Sequence, residues 1–142
     1  MLPIDIEENL AVWARGNPFL TDKLVVDFLD GNDGSCSIAT VSHRVLKIYI
    51  NGAAIKEYTF AMQAMFAVSD DIDNKNTENM FTLRKWQQWI AEQELAGNYP
   101  DFGDKCSGYR LENLTSGPAM AIRYENGMAK YQFFAKIVYR ED

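Results

Sequence analysis

The sequence predicts an α+β fold: one domain over residues 1–142, in which a mostly antiparallel or mixed sheet of about six to seven strands carries two main helices packed on one face. Three observations lead there. Apolar residues recur at helical spacing in two segments, around residues 6–13 and 83–90. Elsewhere the apolar period drops to two, which is the spacing of a strand. Asn-Gly pairs at Asn51-Gly52 and Asn126-Gly127 mark hairpins between such stretches.

The first helix begins near Pro3, whose fixed φ suits a first turn, and Asp5, Glu7 and Glu8 favour its positive end. Ile6, Leu10 and Trp13 form one apolar stripe that should lay Trp13 on the core. Gly16 and Pro18 stop it. Residues 24–29 read as a strand, the Asp30–Gly34 stretch as a turn, and residues 35–41 as a returning strand. Residues 44–50 alternate, with Leu46, Ile48 and Ile50 opposed to Lys47 and Tyr49. After Asn51-Gly52, where both central positions of a two-residue turn would need positive φ, residues 55–68 return. That strand puts Tyr58, Phe60, Met62, Ala64, Phe66 and Val68 on one face, while Thr59, Ala61, Met65 and Ala67 make the other face mostly apolar too. Such a strand is central, with helices on one side; the second reading buries one face against another subunit.

The stretch from Asp70 to Asn76 reads as a solvated acidic loop leading into a second helix capped by Asn76 or Thr77. It is not a calcium loop, because Lys75 and Asn76 occupy the places of a required ligand and a required glycine. Leu83, Trp86 and Ile90 face the core, and Arg84, Lys85, Gln87, Gln88, Glu92 and Glu94 fill the polar side. Gly97 and Pro100 end the helix. Three strands complete the chain, at residues 106–114, 120–124 and from about 129 onward. In the last, Ala129, Tyr131, Phe133, Ala135, Ile137 and Tyr139 share a face.

Composition narrows the function. A chain of 142 residues that is 47% hydrophobic folds around its own core without disulfides or metal. With 20 acids against 14 bases the net charge is −6, so no direct nucleic-acid binding is expected. Cys36 and Cys106 read as reduced, partly buried thiols, and one histidine cannot complete a zinc set. Met1-Leu2-Pro3-Ile4-Asp5 lacks the basic start and apolar core of a signal peptide, and no apolar run nears the ~20 residues of a membrane span. The expectation is a cytoplasmic protein with no membrane partner.

No catalytic motif is visible. His43 follows Ser42, but neighbours on a strand point to opposite faces. GxSxG, HExxH, the phosphate loop and the dinucleotide glycine fingerprint do not occur in the sequence. The expectation is no enzyme, no catalytic residue, no metal and no cofactor. A competing reading, a small-ligand domain, would line a pocket with Trp86, Trp89, Tyr58 and Phe60.

From Tyr49 to Tyr139 the words of the sequence are Asn51-Gly52, Glu57-Tyr58-Thr59-Phe60, Val68-Ser69-Asp70-Asp71, Trp86-Gln87-Gln88-Trp89-Ile90, Gly97-Asn98-Tyr99-Pro100, Cys106, Asn126-Gly127-Met128-Ala129-Lys130-Tyr131 and Ile137-Val138-Tyr139. In this order they resemble a family of small phage and prophage proteins, the minor capsid or tail-terminator-like proteins of long-tailed bacteriophages. The resemblance covers roughly two-thirds of the chain. It implies a twisted sheet flanked by helices, and a structural neck protein that rings the end of the tail tube, stops its polymerisation and prepares it for joining to the head. It implies as partners further copies of the chain, the tail tube protein and the head-connector protein, first in the host bacterial cytoplasm and then in the virion. A neighbouring head–tail connector or tail-completion role is the nearest alternative.

A ring needs apolar surface beyond the monomer's core. The candidate interface is Tyr58, Phe60, Met62, Met65 and Phe66, with Asp70, Asp71 and Asp73 steering a basic partner. Reversing the charge of the three aspartates together should abolish tail joining in an assembly assay; intact joining would remove the steering role.

Overall fold

A computed structural model of the chain describes residues 4–68 and 72–142, the side chains of 72–75 apart. Its elements are α1 (Ile6–Ala14), β1 (Leu24–Val26), β2 (Cys36–Ile48), β3 (Ala54–Ala67), α2 (Ile72–Ala96), β4 (Cys106–Asn113), β5 (Ala119–Arg123) and β6 (Met128–Glu141). Two helices and a six-stranded, mostly antiparallel mixed sheet make the expected α+β architecture. The strand order is β1-β2-β3-β6-β4, and β5 also pairs with β6, end to end with β4 on the side away from β3.

α1 begins where Asp5 accepts the amide of Glu8 at 3.1 Å, which satisfies one of the orphan donors of a helix start. Ile6 and Leu10 are buried as the periodicity requires. Trp13 is half-buried: it tilts against Trp89 with ring centroids 4.9 Å apart and donates its indole N–H to the carbonyl of Asn98. α2 closes at Gly97 (φ +69), whose amide and that of Asn98 return to the carbonyls of Glu94 and Gln93. Its start differs from expectation. The helix runs back to Ile72, so residues 72–76 are its first turn and not a loop. Extending an existing helix costs far less than nucleating one, and an acidic residue near its start complements the dipole.

The strands depart from expectation in three ways. Residues 35–41 and 44–50 are not two strands but one, β2, bent by bulges between Thr40 and Ser42 and between Val45 and Lys47. That merger reduces seven strands to six. β1 is shorter than residues 24–29 and runs parallel to β2, in register Leu24↔Cys36, rather than as its hairpin mate. Asp27 explains both: it takes the left-handed conformation at φ +53, ends β1 and turns the chain back. The turn at Asn51-Gly52 holds only Gly52 at positive φ (+90), with Gly52 N–H donating to the Tyr49 carbonyl and Tyr49 N–H to the Ala53 carbonyl. This is a three-residue hairpin loop, in which Asn51 is not among the positive-φ residues. Tyr124, Gly127 and Met128 repeat the same bonding at the β5–β6 turn.

Both helices pack on one face of the sheet. There Tyr58, Phe60, Met62 and Phe66 of β3 alternate with Tyr131, Phe133, Ala135, Ile137 and Tyr139 of β6, and Leu10, Leu83, Trp86 and Ile90 close over them. Each fully buried apolar side chain of this kind contributes about 1.5–3 kcal/mol. Phe133→Ala should therefore cost about 3–5 kcal/mol in urea unfolding, since the rigid seam around it cannot collapse into the void. A cost under 1 kcal/mol would mean that the inner face is loosely filled.

Candidate interaction surface

The structure separates the residues proposed as an interface. Tyr58, Phe60, Met62 and Phe66 are 0–6% exposed, sealed beneath the chain's own helices, so in this fold they meet no partner. Met65 lies on the opposite face and is itself only 7% exposed. Asp70 and Asp71, and the side chain of Asp73, lie outside the described residues. The strand is apolar on both faces because it is central, between β2 and β6.

The four aromatics of the ligand-pocket reading are likewise core members. Trp86 donates its indole N–H to the Phe19 carbonyl at 2.8 Å and is fully buried with Tyr58 and Phe60. The hollow beside Trp89 is about 100 Å3 and is lined by Phe19, Lys85, Gln88 and Glu92, below the size of ordinary ligand pockets. Gln87, expected on the polar side of α2, is buried and donates to the Thr115 carbonyl.

His43 and Ser42 do face opposite ways: Ser42 sits opposite Thr59, and His43 opposite Tyr58. His43 Nε2 lies 2.8 Å from the Tyr139 hydroxyl, with its ring edge-on to Tyr58. Burial, and then Lys56, hold the imidazole below its ordinary pKa. Burial pushes Tyr58 up to about 12, against a 2.6 Å hydrogen bond with Thr40 that lowers it, and raises Tyr139 further. Both cysteines are buried free thiols raised by desolvation, and Cys36 donates to the Asp22 carbonyl at 3.2 Å. At neutral pH the tyrosines and thiols of this set keep their protons. Among the described residues no group of three or more His, Cys, Asp or Glu side chains could hold a metal ion, and no helix is long and apolar enough to cross a membrane.

What the structure exposes is the outer edge of β2. β1 covers only Cys36–Ile38, and Asp27 then extends that cover by one residue, giving its N–H to the Ile38 carbonyl and taking the Thr40 amide at 2.8 Å on its carboxylate. Beyond Thr40 no described strand lies on this side. Here Val41, Val45, Leu46 and Ile48 are exposed, Ile48 at 71%, and Ile50 stands fully exposed at the hairpin tip. The other edge of the sheet is closed differently: Leu111 of β4 donates its amide to the Glu94 carboxylate at 2.7 Å. The edge of β2 is also basic. Residues 36–55 contain Arg44 and Lys47 and no acid, within a chain of net charge −6.

Glu57 on β3 anchors that charge. It faces Arg44 across the ladder, accepts from Arg44 Nε at 3.0 Å and from Lys136 Nζ at 3.3 Å, and its side chain is 9% exposed. Burial alone would raise its pKa, but the two hydrogen bonds and charges together bring it below the usual glutamate value. Sequence reading missed this edge because Leu46, Ile48 and Ile50 look like a core face; the acid-free run around Arg44 and Lys47 is the signal that was present.

A carboxylate whose folded pKa lies below its unfolded one contributes stability above the unfolded value and loses it as pH falls through the folded one. Glu57→Gln should therefore cost about 1.5–3 kcal/mol at neutral pH, the worth of a hydrogen bond to a charged group, and flatten the acid limb of the stability–pH curve. An unchanged acid limb would show that Glu57 is not the group responsible. Compared with known proteins, the chain matches no family model and no curated protein.

Proposed function

We infer that this chain is a structural assembly protein of the tail-terminator type: it gathers at the end of a phage tail tube, stops its polymerisation and prepares it for joining to the head. The observation that carries the reading is the open β2 edge. A monomer that filled its own surface would not leave Val41, Val45, Leu46 and Ile48 exposed along a strand edge with no described neighbour. The order of words from Tyr49 to Tyr139 supports the same role, and the burial of Trp86, Tyr58 and Phe60 removes the support for a ligand pocket built from them. Its partners on this reading are further copies of itself, the tail tube protein and the head-connector protein. It would act in the bacterial cytoplasm during assembly and remain in the virion.

Native mass spectrometry over a concentration series, with and without purified tail tubes, tests the role. A discrete ring, or a monomer that adds only to tube ends, is the expected result. A permanent monomer that ignores tubes would overturn the reading.

A further inference from the structure

We propose that the β2 edge, from Ser42 to Ile48, accepts an extended acidic segment of another protein as an added strand. The proposal deepens the assembly reading by naming the chemistry of the docking partner. Three features lead to it.

The backbone is available. Past Thr40 the outer N–H and C=O groups of β2 have no described strand beside them, whereas at Thr40 and at Leu111 an aspartate and a glutamate of the chain itself occupy the edge amide. An open edge of this kind is the surface on which strand addition takes place, with main-chain bonds giving affinity and alternate side chains giving specificity.

The edge discriminates by charge. Arg44 is 66% exposed although it is bonded to Glu57, and Lys47 lies over the ring of Tyr49 at 4.9 Å. Two copies of β2 brought edge to edge would set these cations against each other, and like charges opposite one another destabilise a ladder. A strand carrying Asp or Glu at alternate positions would instead meet them with opposite charge, so the same residues refuse self-pairing and favour an acidic partner.

The edge is also limited in length. The bulges at Val41 and Leu46 leave a regular window only from Ser42 to Val45, flanked by exposed apolar side chains at both ends. Bulges break the long flat ladder that promotes indiscriminate association. The partner segment is therefore short, with acids in the middle and apolar residues outside, where Val41, Leu46 and Ile48 can be covered.

The probe is a short synthetic peptide with glutamates at alternate central positions and valines elsewhere, titrated onto the full chain, with hydrogen exchange read at the amides of residues 41–48. The expected result is salt-sensitive binding that protects these amides. Lys47→Glu, which leaves the Arg44–Glu57 pair intact, should weaken binding about tenfold or more and leave exchange in the β3–β6 core unchanged. A valine–lysine peptide should not bind, and N-methylation of alternate peptide amides should abolish binding. The proposal is overturned if the glutamate peptide fails to bind, if the N-methylated peptide binds equally well, or if phosphatidylserine vesicles bind where the peptide does not. A chain that binds the peptide but ignores tail tubes keeps the edge assignment and loses the tail reading. One that adds to tube ends but ignores the peptide does the reverse.

Discussion

Strands β3 and β6 pair residue for residue from Ala54↔Glu141 to Ala67↔Met128, and no bulge interrupts them. That unbroken register fixes almost everything else. Because side chains alternate strictly along a strand, one register places Tyr58 beside Ile137, Phe60 beside Ala135 and Met62 beside Phe133 on a single face. A slip by one residue would send every one of them to the other side. The helices then have one apolar surface on which to land, and Leu10, Trp86 and Ile90 land there. With the middle of the sheet held so rigidly, irregularity is confined to the strands outside it: two bulges in β2, and one register shift each in β4 and β5.

The opposite face of the seam is held by charge as well as by apolar contact. Glu57 lies at its β2 end, bonded to Arg44 on one side and Lys136 on the other, so three neighbouring strands are tied by one carboxylate. Such a tie is costly to break, since removing either cation would leave a mostly buried carboxylate short of a partner. It also positions Arg44 at the rim of the open edge. The site and the fold thus share a residue: Glu57 serves the sheet, and through Arg44 it sets the charge of the surface outside it.

Much of this architecture was legible in the sequence, and the parts that were not share a cause. The alternation of Ala129 to Tyr139 and the i, i+3, i+7 spacing of Leu83, Trp86 and Ile90 are local patterns that the tertiary structure simply uses. Ser42-His43 looked like a gap between strands but is continuous strand, paired with Thr59 and Tyr58 just past the bulge at Val41; two polar residues interrupt the apolar pattern in either case. No residue preference announces that Asp27 will take a positive φ, so the parallel pairing of β1 was invisible. The candidate site failed for a related reason. Which apolar face of β3 is covered depends on where the helices dock, and that is decided by contacts distant in sequence. Met62 and Met65 point to opposite faces of β3, and both are buried.

The seam has a consequence for the chain while it is being made. Its two strands are separated by roughly sixty residues, which a ribosome adds at ~5–20 per second, so β3 waits several seconds for β6. Through that interval the β3 edge that β6 will occupy has no mate, and the face that carries Phe60, Met62 and Phe66 has only part of its final cover, although it is enclosed in the finished protein. The nascent chain is thus most adhesive midway through translation, and that interval is when a holding chaperone would matter to it.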